Sequence, residues 1–569
     1  MRRQKDARIL GTSLLLVVTF PILALAQGRL PGAATTRNPN FPMQPIPSKA
    51  SRITPPGYDK PLEFSARTEL VIVPVTVSDK NGAHVSGLTQ EDFTLSESGK
   101  PQPIAHVEEV RTSLRRLGRP SRPPGVFSNT LGADPTPRRL TIVVLDMINT
   151  PYLDQTRARD QLVRYLADNV DENSLLSLLT FSRRGVRVIH DFSTEPRVLI
   201  AALRRTAGQT HVSEGADSPT EPASGPVPAA IVPSPGSDPI AQASLLLQAF
   251  ITEADEDVSH YQQSVSISLT LEALQHVAMA YAGVPGRKSL IWATGSFPFL
   301  IDSDTGFPQD SSPIAAYERT MQMLASANIA VYPVDVRGLM VNVAASHTSS
   351  LMTLETFASM TGGRAFYNRN DLTGSFREAS GDSSAYYELS YYLDKSNTKA
   401  GWRKLNVKVR REDVRVRARS GFFVTPTTIN PAYSKEMDLA NALQSPMDYT
   451  ALPLTVRWLE DKGKPGKKRK ISFEIVLPAK TATIDDADGN RLSLEFAAVA
   501  RNGAGETAAN FSQTVQSRLN PQALEQIRDS GVTYSNALEF APGEYVVRFV
   551  VRDNVSGRTG SVLAPLKVM

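Results

Sequence analysis

The first regular pattern in the chain is an alternation of apolar and polar residues. Valine recurs at every second position from 71 to 77, which predicts a strand with one buried face. The stretch DFTLSESGKPQPIAHVEEV, which follows a turn, predicts a hairpin that reverses at Ser98–Lys100. Residues 67–111 are therefore expected to form a small N-terminal β unit.

From residue 139 the pattern changes to strands that alternate with helices. The run LTIVVLD is apolar without interruption, which is typical of a strand buried on both faces of a sheet. The next stretch, DQTRARDQLVRYLADNV, has its apolar residues at helical spacing. Further strands and helices alternate in this way up to residue 385. The pattern predicts a doubly wound α/β domain over 139–385, with helices on both sheet faces.

Strands dominate the rest of the chain. Three strands without helices between them are expected at 386–425, and we expect them to pair with the N-terminal β unit. A connector at 426–449 contains a short helical segment. Residues 450–569 alternate strongly between apolar and polar positions, with Asp-Gly and Pro-Gly turns, which predicts a β-sandwich of immunoglobulin type. The predicted fold class is thus α/β plus β, in several domains.

Three stretches are poor in regular patterns. Residues 27–66 and 112–138 are rich in proline and are expected to be linkers. The segment 212–240, within the α/β domain, is dominated by Pro, Ser, Gly and Ala. It is expected to be a mobile insertion, because it has too little apolar surface to offset the entropy lost on ordering.

Residues 1–26 have the features of a secretory signal peptide. Four basic residues precede the apolar stretch ILGTSLLLVVTFPILA, and an A-x-A cleavage site lies at Ala24–Ala26. An uncleaved membrane anchor is the alternative. After cleavage, no transmembrane span is expected. The signal contributes three of the five net positive charges, so the mature chain is nearly neutral and its charge gives no reason to expect nucleic-acid binding.

The chain contains no cysteine. This excludes disulfides, a thiol nucleophile, thiolate zinc sites and a lipid-modified cysteine. An exported protein without disulfides fits a bacterial envelope, so a periplasmic, outer-surface or secreted location is expected. The sequence contains no clustered acid–base pair, and no catalytic residue is predicted.

The strand LTIVVLD ends in a carboxylate, Asp146, which is followed by Asn149 and Thr150. Open α/β sheets bind ligands at the carboxyl ends of their strands. A second strand, KSLIWAT, ends at Thr294 and leads into GSFPFL, with Ser296, Phe297 and Phe299. These seven residues are the predicted ligand-binding residues. GSFPFL is the expected interface hot spot, because exposed aromatic residues often anchor interfaces.

The order of several segments carries a resemblance to a known family. These segments are LDMINT, SLIWATGSFPF, IAVYPVDVRGL, LETFASMTGGRAFYNRNDL and RVRARSGFFV. Together they resemble the VWFA-related domain family of acidobacterial exported proteins, which are built around a von Willebrand factor type A domain. The resemblance covers about residues 68–425. It implies a type A-like fold, which is used largely for adhesion and protein binding, often through a bound divalent cation.

The resemblance also suggests residues for that cation. The type A motif is D-x-S-x-S after the first strand, with a threonine from a second loop and an aspartate from a third. Asp146 and Thr150 match ligand positions, and Thr210 stands as a possible second-loop threonine. Ile148 stands where the motif has its first serine, and Thr294 stands where it has the third-loop aspartate. Mg²⁺ or Mn²⁺ is therefore a possible cofactor, held by Asp146, Thr150 and Thr210.

A structural role for Asp146 is the alternative, and we favour it. Asp146 and Asn149 would accept backbone N–H groups and organise the loop and the start of the next helix. The predicted function is that of an exported, non-enzymatic protein-binding or adhesion-type protein with an unknown protein ligand. The alternatives are a structural component of an envelope assembly and an accessory to an envelope enzyme. The pattern does not determine an oligomeric state.

Overall fold

The computed structural model describes residues 68–112, 123–130, 139–169, 175–207, 261–297, 299, 313–339, 345–394, 401–424, 431–459 and 468–569. The predicted signal peptide, the linker at 27–66, the insertion at 212–240 and Thr210 lie outside these residues. The described part is a mixed α/β structure with many antiparallel strands, in agreement with the predicted class.

In the described part of the chain, five strands precede the α/β segment. They are β1 (Thr68–Ser78), β2 (Phe93–Glu97), β3 (Lys100–Gln102), β4 (His106–Arg111) and β5 (Val126–Ser128). The valines at alternate positions of β1 are buried, as their spacing predicts. β5 lies inside 112–138, where the sequence predicts a linker without a strand. Three residues are too few to show an alternating pattern, so this strand cannot be predicted from the local sequence.

The α/β segment contains five strands and six helices among the described residues. The strands are β6 (Leu140–Asp146), β7 (Leu175–Ser182), β8 (Gly185–Ser193), β9 (Lys288–Thr294) and β10 (Ile329–Asp335). The helices are α1 (Tyr152–Asn169), α2 (Pro196–Ala207), α3 (261–281), α4 (Ile314–Ser326), α5 (Ala345–Thr361) and α6 (Leu372–Gly381).

These strands form one sheet in the order β10-β9-β6-β7-β8, in which only β8 is antiparallel to its neighbour. β6 is buried along its whole length, as predicted. Its alternate side chains enter two cores. Ile142 and Val144 pack with α3, α4 and α5, whereas Val143 and Leu145 pack with α1, α2 and α6. Helices therefore cover both faces of the sheet.

Strands from the two sides of the α/β segment pair with each other. The later ones are β11 (Ala385–Asp394), β12 (Gly401–Val409), β13 (Arg415–Ala418) and β14 (Gly421–Val424). They complete two four-stranded sheets, β13-β1-β11-β4 and β14-β12-β2-β3. The inner faces of these sheets share one apolar core, to which Val73, Leu95 and Tyr391 contribute. We call this pair of sheets the split sandwich.

A buried arginine connects the split sandwich to the α/β sheet. Arg287 precedes β9, and its guanidinium donates to the Gly362 carbonyl (2.6 Å), to the Tyr332 hydroxyl (3.1 Å) and to the Thr76 hydroxyl (3.3 Å). Its backbone N–H donates to the Tyr386 hydroxyl at 2.9 Å. These bonds fix the amino ends of β9 and β10 against β1 and β11.

The described residues from 431 onwards form two α-helices and eight strands. They are α7 (Pro431–Gln444), β15 (Thr455–Trp458), β16 (Arg469–Leu477), β17 (Ile484–Asp485), β18 (Arg491–Asn502), β19 (Thr507–Arg518), α8 (Pro521–Ser530), β20 (Val532–Phe540), β21 (Gly543–Asp553) and β22 (Thr559–Val568). One sheet has the order β20-β16-β15-β5, and the other has β17-β18-β21-β22 with β19 beside β18. Contacts such as Phe473–Phe549 and Phe496–Tyr534 join their facing sides.

Asn129, directly after β5, fixes this strand to the C-terminal sheets. Its side chain is buried and donates to the carbonyls of Tyr449 (2.7 Å) and Leu452 (2.9 Å), and it accepts from the Leu454 N–H (2.9 Å). We expect Asn129→Ala to lower the free energy of unfolding by roughly 2–3 kcal/mol, because three buried hydrogen bonds to the backbone are lost, although the Tyr449 carbonyl keeps the Ser561 N–H. Urea denaturation would measure this loss. Asn406→Ala, at an exposed position, is the control, and an equal effect of both would contradict the prediction.

Candidate functional site

Asp146 lies at the carboxyl end of β6 and is only 2% exposed. Its Oδ1 accepts from the backbone N–H groups of Ile148 (2.9 Å) and Asn149 (3.0 Å). Its Oδ2 accepts from the Asn149 amide (2.8 Å), the Trp292 indole (3.0 Å) and the Thr294 hydroxyl (2.8 Å). Burial raises the pKa of the Asp146 carboxyl, and hydrogen bonds from Asn149, Thr294 and Trp292 oppose that rise.

The other predicted polar residues connect the same loops. The Thr150 hydroxyl accepts from the Gly295 N–H at 2.9 Å, and the Asn149 amide also donates to the Thr270 hydroxyl of α3 at 2.9 Å. The Thr294 hydroxyl is also 2.8 Å from the Ser296 carbonyl. Asp146, Asn149, Thr150 and Thr294 are thus brought together, and the network ties the loop after β6 to the loop after β9.

These residues do not fit a divalent cation. A carboxylate offers about four lone-pair positions, and five donors already occupy those of Asp146. Thr150 uses its oxygen to accept from Gly295, and Ile148 is a buried apolar residue. Thr210 lies outside the described residues. The geometry is that of a loop organiser, the alternative that we favoured on the sequence.

The aromatic residues of GSFPFL are not exposed. Phe297 and Phe299 are fully buried. The prediction of an interface hot spot at these residues assumed that their side chains are exposed, and this assumption is wrong. Phe297 contacts Trp292 and Phe357, with ring centroids 5.2 and 6.2 Å apart, and Phe299 contacts Tyr317 at 5.3 Å. The chain after β9 turns back under α4 and α5, where burial of large aromatic surface stabilises the core.

Other apolar residues are exposed at this edge of the sheet. Leu153, in the first turn of α1, is 81% exposed, and Leu339, four residues after β10, is 61% exposed. Tyr152 beside Leu153 is exposed as well. We call these three residues the edge patch. The sequence places the contact on the loops 146–153 and 294–300, which include Tyr152 and Leu153 without singling them out, and it gives no indication of Leu339. Tyr152 and Leu153 lie off the helical repeat that gives α1 its core face at Ala158, Leu162, Tyr165 and Leu166.

A polar framework holds the two parts of the edge patch together. Arg157, one helical turn after Leu153, donates to the Arg337 carbonyl and to the Asn370 side-chain oxygen, both at 2.8 Å. The same Asn370 oxygen accepts from the Leu339 N–H at 3.2 Å. The Leu339 backbone is therefore linked to the Arg157 guanidinium through Asn370, and Leu153 lies one helical turn before Arg157 on α1. Asp335 holds Arg337 through two side-chain bonds of 2.9 Å.

The described residues contain no group of three or more His, Cys, Asp or Glu side chains arranged to hold a metal ion. None of the helices that can be described combines the length and the apolar character that a membrane span requires.

Comparisons with known proteins add little. No family model matches the sequence, and no curated protein matches it. A glycosyl hydrolase family 2 member from Bacteroides cellulosilyticus DSM 14838 matches 32% of this chain and 20% of its own, with 10% identity and a TM-score of 0.16. A β-glucuronidase from Bacteroides uniformis matches 32% of this chain and 19% of its own, with 12% identity and a TM-score of 0.14. The chain thus spans about a fifth of these structures, and similarity at this level supports no argument about its fold or function.

Proposed function

We propose that this chain is an exported, non-enzymatic protein that binds a protein ligand through the edge patch. The proposal keeps the function expected from the VWFA-related resemblance and moves its contact surface from Phe297 and Phe299 to Leu153 and Leu339. We also propose that the α/β segment is type A-like and that the C-terminal sheets are of immunoglobulin type. The sheet with helices on both faces and the two facing antiparallel sheets support these assignments.

The observation that carries the proposal is the position of the exposed leucines. Leu153 and Leu339 follow the carboxyl ends of two strands of one sheet, where open α/β sheets bind their ligands. The bonds of Arg157 and Asn370 position the Leu339 backbone before any ligand arrives, and Leu153 lies on the regular helix α1, so little ordering entropy is lost on binding. Because Asp146 has no free lone pair, the proposed binding is apolar and independent of divalent cations.

Site-specific photocrosslinking of the full chain in its source cells tests this proposal. We expect a photoreactive residue at position 153 or 339 to give a discrete adduct, because apolar anchors are buried in the complex. Leu339→Asp should reduce the yield from position 153 by about tenfold or more, the effect of a charge in an apolar contact. Chelator should leave the yield unchanged.

A photoreactive residue at exposed Leu563, on β22, is the matched control. Equal adducts from positions 563 and 153, or loss of the adduct in chelator, would contradict the proposed surface.

Mass spectrometry of the adduct also separates the alternatives. Adducts between copies of this chain would support the structural component, and an adduct to an envelope enzyme would support the accessory role.

A further inference from the structure

One half of β1 has an open backbone edge among the described residues. β1 pairs with β11 from Thr68 to Val75, but β13 pairs with β1 only from Val75 to Ser78. The stretch before Val75 therefore has a neighbouring strand on one side only.

The register shows which groups face this edge. Ser390 is the partner of Ile72 in the β1–β11 pairing, and its carbonyl accepts from the Ala105 N–H at 2.7 Å, on the side away from β1. The backbone groups of Ile72 therefore point away from β11, and those of Leu70 do the same, because this direction alternates along a strand. Within the described structure, the N–H groups of Leu70 and Ile72 have no backbone partner. Pro74 has no N–H and ends the open edge.

Arg419 lies against the same edge. It follows β13, and its Nη2 donates to the Ile72 carbonyl at 2.7 Å. Its Nε is buried without a partner, and it forms no ion pair with a carboxylate of the described residues. Burial lowers the pKa of this guanidinium to about 10. The edge therefore carries a half-buried guanidinium, which lies over the Phe422 ring at 5.5 Å and has no carboxylate partner among the described residues.

Exposed apolar side chains border this cation. Leu70 and Tyr392 are direct partners across β1 and β11, and both are exposed, Tyr392 to 63%. Ile72 lies two residues along the same face and is exposed as well. Proteins usually protect such an apolar strand edge with charges, because it is a template for another strand. At this edge the charged residue is Arg419, which forms no ion pair with a described carboxylate.

We propose that the β1 edge at Leu70–Ile72 binds an extended acidic peptide, which adds to the sheet as a strand and places a carboxylate on Arg419. The Leu70 and Ile72 N–H groups would donate to the peptide's carbonyl groups, as in other cases of strand addition. A carboxylate would accept from the unused N–H groups of Arg419 and supply an opposite charge. An apolar side chain next to the carboxylate would contact Leu70 and Tyr392. This surface lies on the split sandwich and is separate from the edge patch.

Fluorescence polarisation with two labelled probe peptides and the full chain tests this proposal. Each heptapeptide alternates valine and threonine, with a glutamate or a glutamine at its centre. We expect the glutamate peptide to bind at least about tenfold more tightly, because a charge-assisted bond to Arg419 is available to it alone. Arg419→Gln should abolish the difference, and Arg419→Lys should retain part of it. Arg410→Gln, at an exposed position directly after β12, is the control and should change nothing.

A backbone variant tests the strand addition itself. Leu70→Pro removes an N–H that makes no bond within the described fold, so β1 should still pair with β11, and both peptides should bind more weakly by about tenfold or more. Hydrogen exchange of the free chain should show fast exchange of the Leu70 and Ile72 amides, which peptide addition slows. Slow exchange in the free chain would mean that the edge is already occupied, and would overturn the proposal. Absence of saturable binding, or equal affinity for both peptides, would overturn it too.

Discussion

Replacing Asp146 with alanine is expected to lower the free energy of unfolding by roughly 3–5 kcal/mol. The sequence alone suggested the smaller loss of a helix cap, but the structure shows five donors on this one carboxylate. Alanine would leave the Trp292 indole and the backbone N–H groups of Ile148 and Asn149 buried without an acceptor, whereas the Asn149 side-chain amide keeps the Thr270 hydroxyl. Trp292 also provides the measurement, since its fluorescence reports unfolding at the site during urea denaturation.

Unfolding measured with added Mn²⁺ and with a chelator is the control for this prediction. Because the donors already fill the Asp146 oxygens, millimolar Mn²⁺ or a chelator should change neither the wild type nor the variant. Asp146→Asn keeps one acceptor oxygen and should lose less stability than Asp146→Ala. A wild-type gain in Mn²⁺ that disappears in Asp146→Ala would contradict the organiser role and restore the cation site that the family resemblance suggested.

The coarse fold follows from patterns that are strong in the sequence. The uninterrupted apolar run of β6 predicts a strand buried on both faces, and the structure confirms it. The tyrosine pairs at 386–387 and 391–392 predict a half-buried strand. This holds at the second pair, where Tyr391 is buried and Tyr392 is exposed, but Tyr386 and Tyr387 are both buried, so this end of β11 is covered on both faces. Such patterns are local, so they can be recognised without knowledge of the neighbouring strands.

Shorter elements were missed for identifiable reasons. α8 was not predicted, although Asn520 and Pro521 are a recognisable helix start, and the Asn520 side chain accepts from the Ala523 N–H. Apolar and polar residues alternate strongly in the strands on both sides of α8, and this alternation predicts strands throughout the region. α6 was missed as well, although Asp371 caps it by accepting from the Gly374 N–H at 2.7 Å. β5 depends on pairing with β15, more than three hundred residues away, and no local pattern reveals it.

The candidate site was predictable in its polar part only. Asp146, Asn149, Thr150 and Thr294 lie at the ends of two strands that the sequence marks clearly, so their proximity follows from the topology. The burial of Phe297 and the exposure of Leu339 depend on which way a loop turns. That direction is set by packing against α4 and α5, which no run of residues within the loop encodes.

Lys288 should make the stability of the chain depend on pH. This lysine, beside Arg287, is 1% exposed, and its ammonium donates to the carbonyls of Val284 (2.6 Å) and Gly286 (2.7 Å). It has no ion pair with a carboxylate among the described residues. Burial lowers its pKa from 10.5 to about 7, and the charge of Glu388 opposes this shift. Between these two values the folded chain holds a neutral amine, while the unfolded chain holds a proton.

Because the unfolded state binds more protons in this window, the free energy of unfolding should rise with pH from about 7 towards 10.5. Each pH unit contributes about 1.4 kcal/mol, so the wild type should gain about 3 kcal/mol between about pH 7 and pH 9.5 from this group. Lys288→Met removes the titration and also leaves two carbonyls unpaired, at a cost of about 1–2 kcal/mol. The variant should therefore be more stable than the wild type near pH 6 and less stable near pH 10.

Urea denaturation across this range, with the exposed Lys404→Met as the matched control, would show the pH at which the two free energies of unfolding cross. A difference between Lys288→Met and the wild type that stays constant with pH would show that burial does not hold the lysine neutral.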